Sequence, residues 1–310
     1  AATPVGSIAP SATFERGDLL DPQQLDALFA RHRPTAVVHL ASLLSGSCEQ
    51  ERRRGWAVNM DGTFALFEAA LRHGAPKVLF ASSVAAFGGQ LPAILTDDTP
   101  QWPDGLYGVT KMAAERLGVY YQRRHGLDFR CLRLPVTVSR FAPPGAASAM
   151  ASHAFIEAAQ TGQFTFRARP DIALALIYVR DVLQALSTLL AAPAAGLSRR
   201  VYNIEAVPTT LAEVAAAIGH RLPSAILRFE PDPAVSALLA VEDRRAKLLG
   251  LDAATRKAVD LTSGGAPLAY QVTIPVVQRI EPFVAAGLTS ADGEESPAGA
   301  AEDDDDGPTL

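Results

Sequence analysis

Tyr107 and Lys111 carry the clearest chemistry in this chain: they open a helical stretch 24 residues after Ser82-Ser83 ends an apolar run. Residues four apart share one helical face, which would set a phenol beside an ammonium. A phenol with its ordinary pKa near ~10 is a poor base at neutral pH. A neighbouring cation favours the phenolate. With Ser83 holding a substrate oxygen, the three describe proton transfer at a carbinol or carbonyl. Tyr and Lys four apart also occur as a packed ring beside a solvated amine. The serines closing a β-type run just upstream lift this pair above that reading.

Those residues need a scaffold, and the sequence alternates short β-type runs with longer helical patterns, as an α/β protein with a mostly parallel sheet does. A first strand is expected at 12–16, then a helix from Asp21-Pro22 to about Arg33, with Pro where its missing N–H costs nothing. Thr35 to Ala41 is nearly continuous in apolar residues and reads as a strand covered on both faces. A helix follows from about Arg52 to His73, with Trp56, Met60, Phe64, Phe67 and Leu71 on one stripe and Gly74 as its cap. Lys77 to Ala81, a helix from Tyr107 to His125 ended by Gly126, and Phe129 to Leu134 continue the alternation. Beyond Pro143-Pro144-Gly145 the expected elements are a helix near Ser148 to Gln160, a strand pair within Phe164 to Ile177, a helix from Arg180 to Leu190 and a strand from Arg200 to Ile204. The strand at 12–16 and the strand at 35–41, joined by one helix, should pair directly in parallel. The expected organisation is a sheet domain over 1–142, a smaller interleaved lobe over 143–286 and a disordered acidic tail over 287–310.

The 310 residues hold 28 Lys and Arg against 33 Asp and Glu, and eight of those acids lie in the last 23 residues. The remainder, 28 bases against 25 acids without basic blocks, argues against a nucleic-acid surface. No apolar run reaches the roughly 18 residues that span a bilayer. Two cysteines, Cys48 and Cys131, exclude a disulfide framework and point to a reduced, cytoplasmic setting. Cys131 reads as core, and Cys48 reads as a loop residue with no base to activate it. Arg140 could pair bidentately with a substrate carboxylate or be a surface residue at a turn. Ser45 could touch substrate or simply serve a turn with Gly46. His153 and His39 read as structural, Asp97-Asp98 as a turn cap rather than a metal site, and Asp181 as a helix cap.

The order and spacing of several runs resemble the extended short-chain dehydrogenases, the NAD-dependent epimerase/dehydratase family. These runs are Val37-Val38-His39-Leu40-Ala41-Ser42, Val58-Asn59-Met60-Asp61-Gly62-Thr63, Ala81 to Gly89, Tyr107-Gly108-Val109-Thr110-Lys111 and Arg133-Leu134-Pro135. Leu43-Leu44-Ser45-Gly46, Phe87 to Pro92, Val138-Ser139-Arg140 and Ala146 to Ser152 resemble its D-erythronate and, next, its short-chain L-threonine dehydrogenase branches. The resemblance implies a Rossmann-like fold, an NAD cofactor (with NADP open), a small hydroxy-acid substrate and a homodimer formed by the helices at 56–71 and 112–121. It implies Tyr107 as general acid/base, Lys111 at the nicotinamide ribose and Ser83 on the reacting oxygen. It further implies that Asp18 and Leu19 flank the adenine, Leu40, Ala41 and Ser42 line the cofactor, Asn59 buttresses the site, and Pro135 faces the nicotinamide.

A dinucleotide fold places a glycine turn after its first strand so that the pyrophosphate meets a helix N-terminus. No GxxGxxG or GxGxxG occurs in the 310 residues. The expectation is therefore a sheet lacking the first strand, glycine loop and second strand, and weak NAD affinity. Two other readings stand beside the dehydrogenase. One is a sugar-nucleotide epimerase; dehydratase chemistry is disfavoured because Val84-Ala85, not Asp-Glu, follows Ser83. The other is a catalytically silent binding module.

Overall fold

The computed structural model describes residues 12–74, 77–88, 95–142, 147–236, 239, 261–263 and 266–268. The expected tail over 287–310, the loop around Gln90-Leu91-Pro92 and the Pro143-Pro144-Gly145 turn lie outside them.

The principal sheet is parallel, in the order β1 (Ala36–His39), β2 (Lys77–Ser83), β3 (Asp128–Leu134), β7 (Val201–Asn203). Its central strands β2 and β3 are buried along most of their length, β3 with two arginines, Arg130 and Arg133, among its buried residues. One face packs on α1 (Pro22–His32), α4 (Gly62–Arg72) and α5 (Leu106–His125) through Phe67, Phe80, Phe129 and Tyr121. The other packs on α7 (Val179–Ala191) through Leu79, Leu132, Val182 and Leu186. Ends are marked as their residues demand. Asp21 accepts from Gln23 N and Gln24 N with Pro22 inside the first turn of α1, and Gly126 closes α5 with φ +72°. The end of α7 is capped from afar. Fully buried Arg130 of β3 donates to the carbonyls of Leu189, Leu190 and Ala192 and pairs with Asp128.

A smaller lobe holds β4 (Val136–Val138), β6 (Ala173–Tyr178) and β8 (Val207–Thr210) in one mixed sheet, and β5 (Gln163–Phe166) with β9 (Ile226–Phe229) in another. The helices α6 (Met150–Thr161) and α8 (Leu211–Arg221) enclose its core of Phe155, Phe166, Leu174 and Leu211. Thr210 and Glu213 form a reciprocal capping box at the start of α8. A further hairpin joins β10 (Leu261–Ser263) to β11 (Ala266–Leu268).

Three expectations are corrected. No strand forms at 12–16: Phe14 is exposed, and Glu15 instead binds Arg31 and His32 at the end of α1. With no neighbour to complete a ladder, β-type residues alone do not make a strand. The Phe164 to Ile177 segment does form two strands, but they do not pair with each other; β5 pairs with β9 and β6 with β4 and β8. The helix expected from Arg52 to His73 is broken into α3 (Arg52–Trp56), a π-helical turn at Ala57–Asp61 and α4. The wider turn splits the supposed stripe, leaving Trp56 and Phe64 exposed while Phe67 is fully buried.

Among the described residues β1 pairs only with β2, so its outer edge offers unpaired backbone groups beside exposed Val38. Val38→Lys should reduce concentration-dependent association of the chain, measured by light scattering, while changing folding stability by less than about 1 kcal/mol. Unchanged scattering would show that this edge does not drive association.

Candidate functional site

Ser83, Leu40, Ala41, Ser42 and Pro135 lie at the carboxyl end of the principal sheet, where open parallel sheets take their ligands. Register places them there: His39 lies opposite Phe80, and Ser83 opposite Leu134. Leu40, Ala41 and Ser42 therefore leave β1, and Pro135 leaves β3, at the same end as Ser83. Leu40 and Ala41 are exposed and Pro135 is buried. Ser83 accepts from Ala85 N and so caps the single 3-10 turn Val84–Ala86. The first turn of α5 lies against that turn so closely that a Cβ on Gly108 would come 2.3 Å from the Ala85 oxygen. This fixes Tyr107, one residue earlier, with respect to Ser83.

Lys111 is 4% exposed, and its Nζ donates to Ala81 O at 2.8 Å. The ammonium lies 5.5 Å from the Tyr107 ring centre and 4.7 Å from that of Phe80. Burial lowers its pKa to about 8, opposed by the fields of Cys131, Cys48 and Glu115. An ammonium has three donors, and among the described residues one is used, on Ala81 O. A buried cation with donors to spare at the carboxyl end of the sheet fits the ribose hydroxyls of a dinucleotide. Asp18 and Leu19 sit differently from Lys111. Asp18 Oδ1 accepts from Leu20 N in a local turn, and the Leu19 side chain packs against Gly62.

Asn59 lies in the π-helical turn, 3% exposed. Its Oδ1 accepts from Leu43 N at 2.8 Å, and its Nδ2 donates to Leu43 O and to Thr110 Oγ1, both at 3.1 Å. Thr110 Oγ1 in turn donates to Tyr107 O. Asn59 thus joins the segment after β1 to the helix bearing Tyr107. His39 is buried as well, with Nε2 2.9 Å from Thr63 Oγ1. Because Thr63 Oγ1 donates to Asn59 O, the imidazole must be the donor at Nε2. Burial first, and the Lys111 charge second, push the His39 pKa down to about 4, so the ring is neutral at pH 7.

Sequence reasoning missed a buried polar cluster behind the site. Glu115, 1% exposed and one turn beyond Lys111, accepts from Ser82 Oγ, Gln101 Nε2 and both Nε and Nη2 of Arg133. Arg133 Nη1 donates to Asp97 O and Asn203 Oδ1, and the guanidinium lies over Phe87. The available signal was an acid four residues past Lys111 and an arginine between two leucines of an apolar run. Burial raises the Asp97 pKa, and its Oδ1 accepts from Asn203 N. Cys48 is corrected from a loop to the interior of α2 (Ser45–Gln50), fully buried, its thiol pKa raised by that burial. Ser45 begins the same short helix. Arg140 is exposed in a turn, stacked 4.7 Å from the Phe141 ring centre, and no hydrogen bond among the described residues ties it to Tyr107 or Lys111. His153 is half-buried on α6. The described residues contain no cluster of metal-ligating side chains and no helix long and apolar enough to cross a membrane.

The model of the NAD dependent epimerase/dehydratase family matches residues 2–204. The mitochondrial L-threonine 3-dehydrogenase of Bos taurus is 35% identical over 230 residues, covering 74% of this chain and 61% of that protein. The D-erythronate dehydrogenase of Cupriavidus necator is 38% identical over 206 residues, 65% of this chain and 63% of that protein. The chain thus spans about three fifths of the length of these relatives. Among solved structures, a GalE-like L-threonine dehydrogenase from Cupriavidus necator in its holo form superposes with a TM-score of 0.67 at 34% identity, covering 77% of this chain and 75% of its own. The L-threonine dehydrogenase of Clostridium difficile reaches 0.76 at 25% identity, covering 92% and 85%.

His39 supplies a pH test of this geometry. A histidine at about 4 when folded and near ~6.5 when unfolded leaves the unfolded chain with more bound protons between those values. Its contribution is therefore complete above about pH 6.5 and is lost as pH falls toward 4. Between pH 7 and pH 5 the wild type should lose about 2 kcal/mol more stability than His39→Gln, read from urea unfolding of both proteins. Equal losses would mean that His39 protonates as easily in the folded chain as in the unfolded one.

Proposed function

This chain belongs to the NAD dependent epimerase/dehydratase family, and within it we propose an NAD-dependent oxidoreductase that oxidises the secondary alcohol of a small hydroxy acid of the D-erythronate type. The observation carrying this reading is the buried Lys111 ammonium beside the Tyr107 ring on one face of α5, at the carboxyl end of the sheet. The named relatives at 35% and 38% identity, both dehydrogenases of small hydroxyl-bearing acids, support it. Support for NAD comes from the family match, and the spare donors of Lys111 suit the ribose of a dinucleotide.

In this reading the Ser83 hydroxyl holds the substrate oxygen and Tyr107, as phenolate, takes its proton. Lys111 favours that phenolate because a cation in a poorly solvated site acts strongly on a neighbouring anion. Bound NAD supplies the acceptor for the hydride that leaves the carbinol carbon as the carbonyl forms. Leu40, Ala41, Ser42 and Pro135 line the cofactor, Asn59 holds the α5 end of the site, Asp18 and Leu19 flank the adenine, and Ser45 and Arg140 meet the substrate. We place the enzyme in the cytoplasm, in keeping with two free, buried cysteines. We assign it a homodimer through α3, α4 and α5, whose Trp56, Phe64 and Tyr120 are exposed.

Tyr107→Phe keeps the ring and removes the proton-transfer group. With NAD and a panel including D-erythronate and L-threonine, it should turn over roughly 100-fold or more slowly than the wild type, with little loss of folding stability. A variant as active as the wild type would exclude this catalytic assignment, and a preference for L-threonine would move the substrate to the other branch.

A further inference from the structure

The helix that carries Tyr107 and Lys111 begins without a cap of its own. Its N-cap residue is Gly105, with φ −123° and ψ 156°, and no side-chain cap hydrogen bond is made there. The first N–H groups of a helix have no partner within it, and glycine has no side chain to offer. The acceptor comes from another element: Glu49 Oε1, on α2, lies 2.8 Å from Leu106 N. A second observation agrees with this. A Cβ built on Gly105 would come 3.2 Å from the same Glu49 oxygen, so the carboxylate occupies the space a capping side chain would use.

The element that presents Glu49 is held firmly. Cys48, its neighbour, is fully buried, with its Sγ 3.4 Å from both Leu43 O and Asn59 Nδ2. Gly55 packs against it so closely that a Cβ there would lie 3.0 Å from the sulfur. The carboxylate therefore extends from an anchored helix to the positive end of α5, where an anion is favoured by the helix dipole. The next residue after Leu106 is Tyr107.

We propose that Glu49 is a positioning residue for the dehydrogenase reaction: it caps α5 across the gap from α2 and so seats Tyr107 over the substrate oxygen. This rests on the proposed function above. Ser45 opens the same short helix that presents Glu49, so the residue assigned to substrate and the residue that caps the Tyr107 helix share one element. Nothing in this role asks Glu49 to touch substrate or cofactor.

The test compares wild type, Glu49→Ala and the double variant Glu49→Ala with Gly105→Ser, using the full chain. The serine supplies a local N-cap in the space the carboxylate vacates, at backbone angles that suit it. Glu49→Ala should speed hydrogen exchange of the amides at 106–108 by about fivefold, the equivalent of a lost cap. It should lower kcat by about the same factor with the KM for NAD unchanged, and the double variant should recover most of both losses. Recovery by a cap placed on α5 itself is the readout that a general role in folding α2 would not produce. Unchanged exchange in Glu49→Ala overturns the proposal, as does a kcat loss that Gly105→Ser fails to recover. A wild type without turnover would count against the proposed oxidoreductase, and the exchange measurement would still decide whether Glu49 caps α5.

Discussion

The buried ion pair of Glu115 and Arg133 is the interaction on which the arrangement of this site depends. Each partner is at most 2% exposed, and the guanidinium grips the carboxylate through two nitrogens. Such a pair adds little net stability against an apolar replacement, because both ions have left water. Breaking it is another matter, since one stranded charge costs about 3 to 5 kcal/mol, a large share of the roughly 5 to 15 kcal/mol that holds a domain folded. Its value is therefore geometric. Through Ser82, Gln101, Asp97 and Asn203 it joins β2, the loop before α5, α5 itself, β3 and β7. Ser83, Lys111 and Pro135 each lie within four residues of a member of that network. Asn203 Nδ2 is left without a partner among the described residues, but a slip of β2, α5 or β3 would strand Ser82, Glu115 or Arg133 as well, and that cost holds these elements in register.

The π-helical turn at Ala57–Asp61 does a related job on the other side. A regular helix from Arg52 to Arg72 would turn each residue by a constant angle. The wider turn re-aims Asn59 so that its amide reaches Leu43 on one side and Thr110 on the other. Such turns are uncommon and cluster at functional sites. Here the turn's own carbonyl is also used, because Asn59 O accepts from Thr63, which in turn accepts from His39. Asn59 thus links segments that are far apart in sequence, and through Thr63 it also fixes the ring of His39, which burial and the Lys111 charge keep neutral.

Much of this was legible in the residues. Apolar runs located β2 and β3, Asp21-Pro22 and Gly126 marked helix ends, and the spacing of Tyr107 and Lys111 placed them on one face of α5. What escaped notice shares one property: it depends on partners remote in the chain. Trp56, Met60 and Phe64 fit a helical period, and nothing local announces that a backbone hydrogen bond skips one residue further there. β5 pairs with β9 across about sixty residues, so its neighbour could not be read from its own sequence. Residues 12–16 have strand-like composition but no strand beside them, and composition without a ladder leaves a coil. Glu49 and Glu115 look alike as sequence, one acid in each helix. Only the fold makes one a cap and the other half of a buried pair.

The charges around Tyr107 follow from these constraints. Glu115 is matched by Arg133, and His39 is uncharged at neutral pH. Lys111 remains, with its ammonium on a carbonyl rather than a carboxylate. Its lowered pKa records that mismatch: the surroundings make this cation expensive to keep. A carboxylate beside it would relieve the cost but would also quench its field. Left on a neutral carbonyl, the charge is free to act on whatever anion forms nearby, and the Tyr107 ring centre lies 5.5 Å from it. The fold therefore holds an under-compensated positive charge where a phenolate has to be stabilised. The neutral His39 is the other side of the same balance, because a protonated imidazole there would be repelled by Lys111.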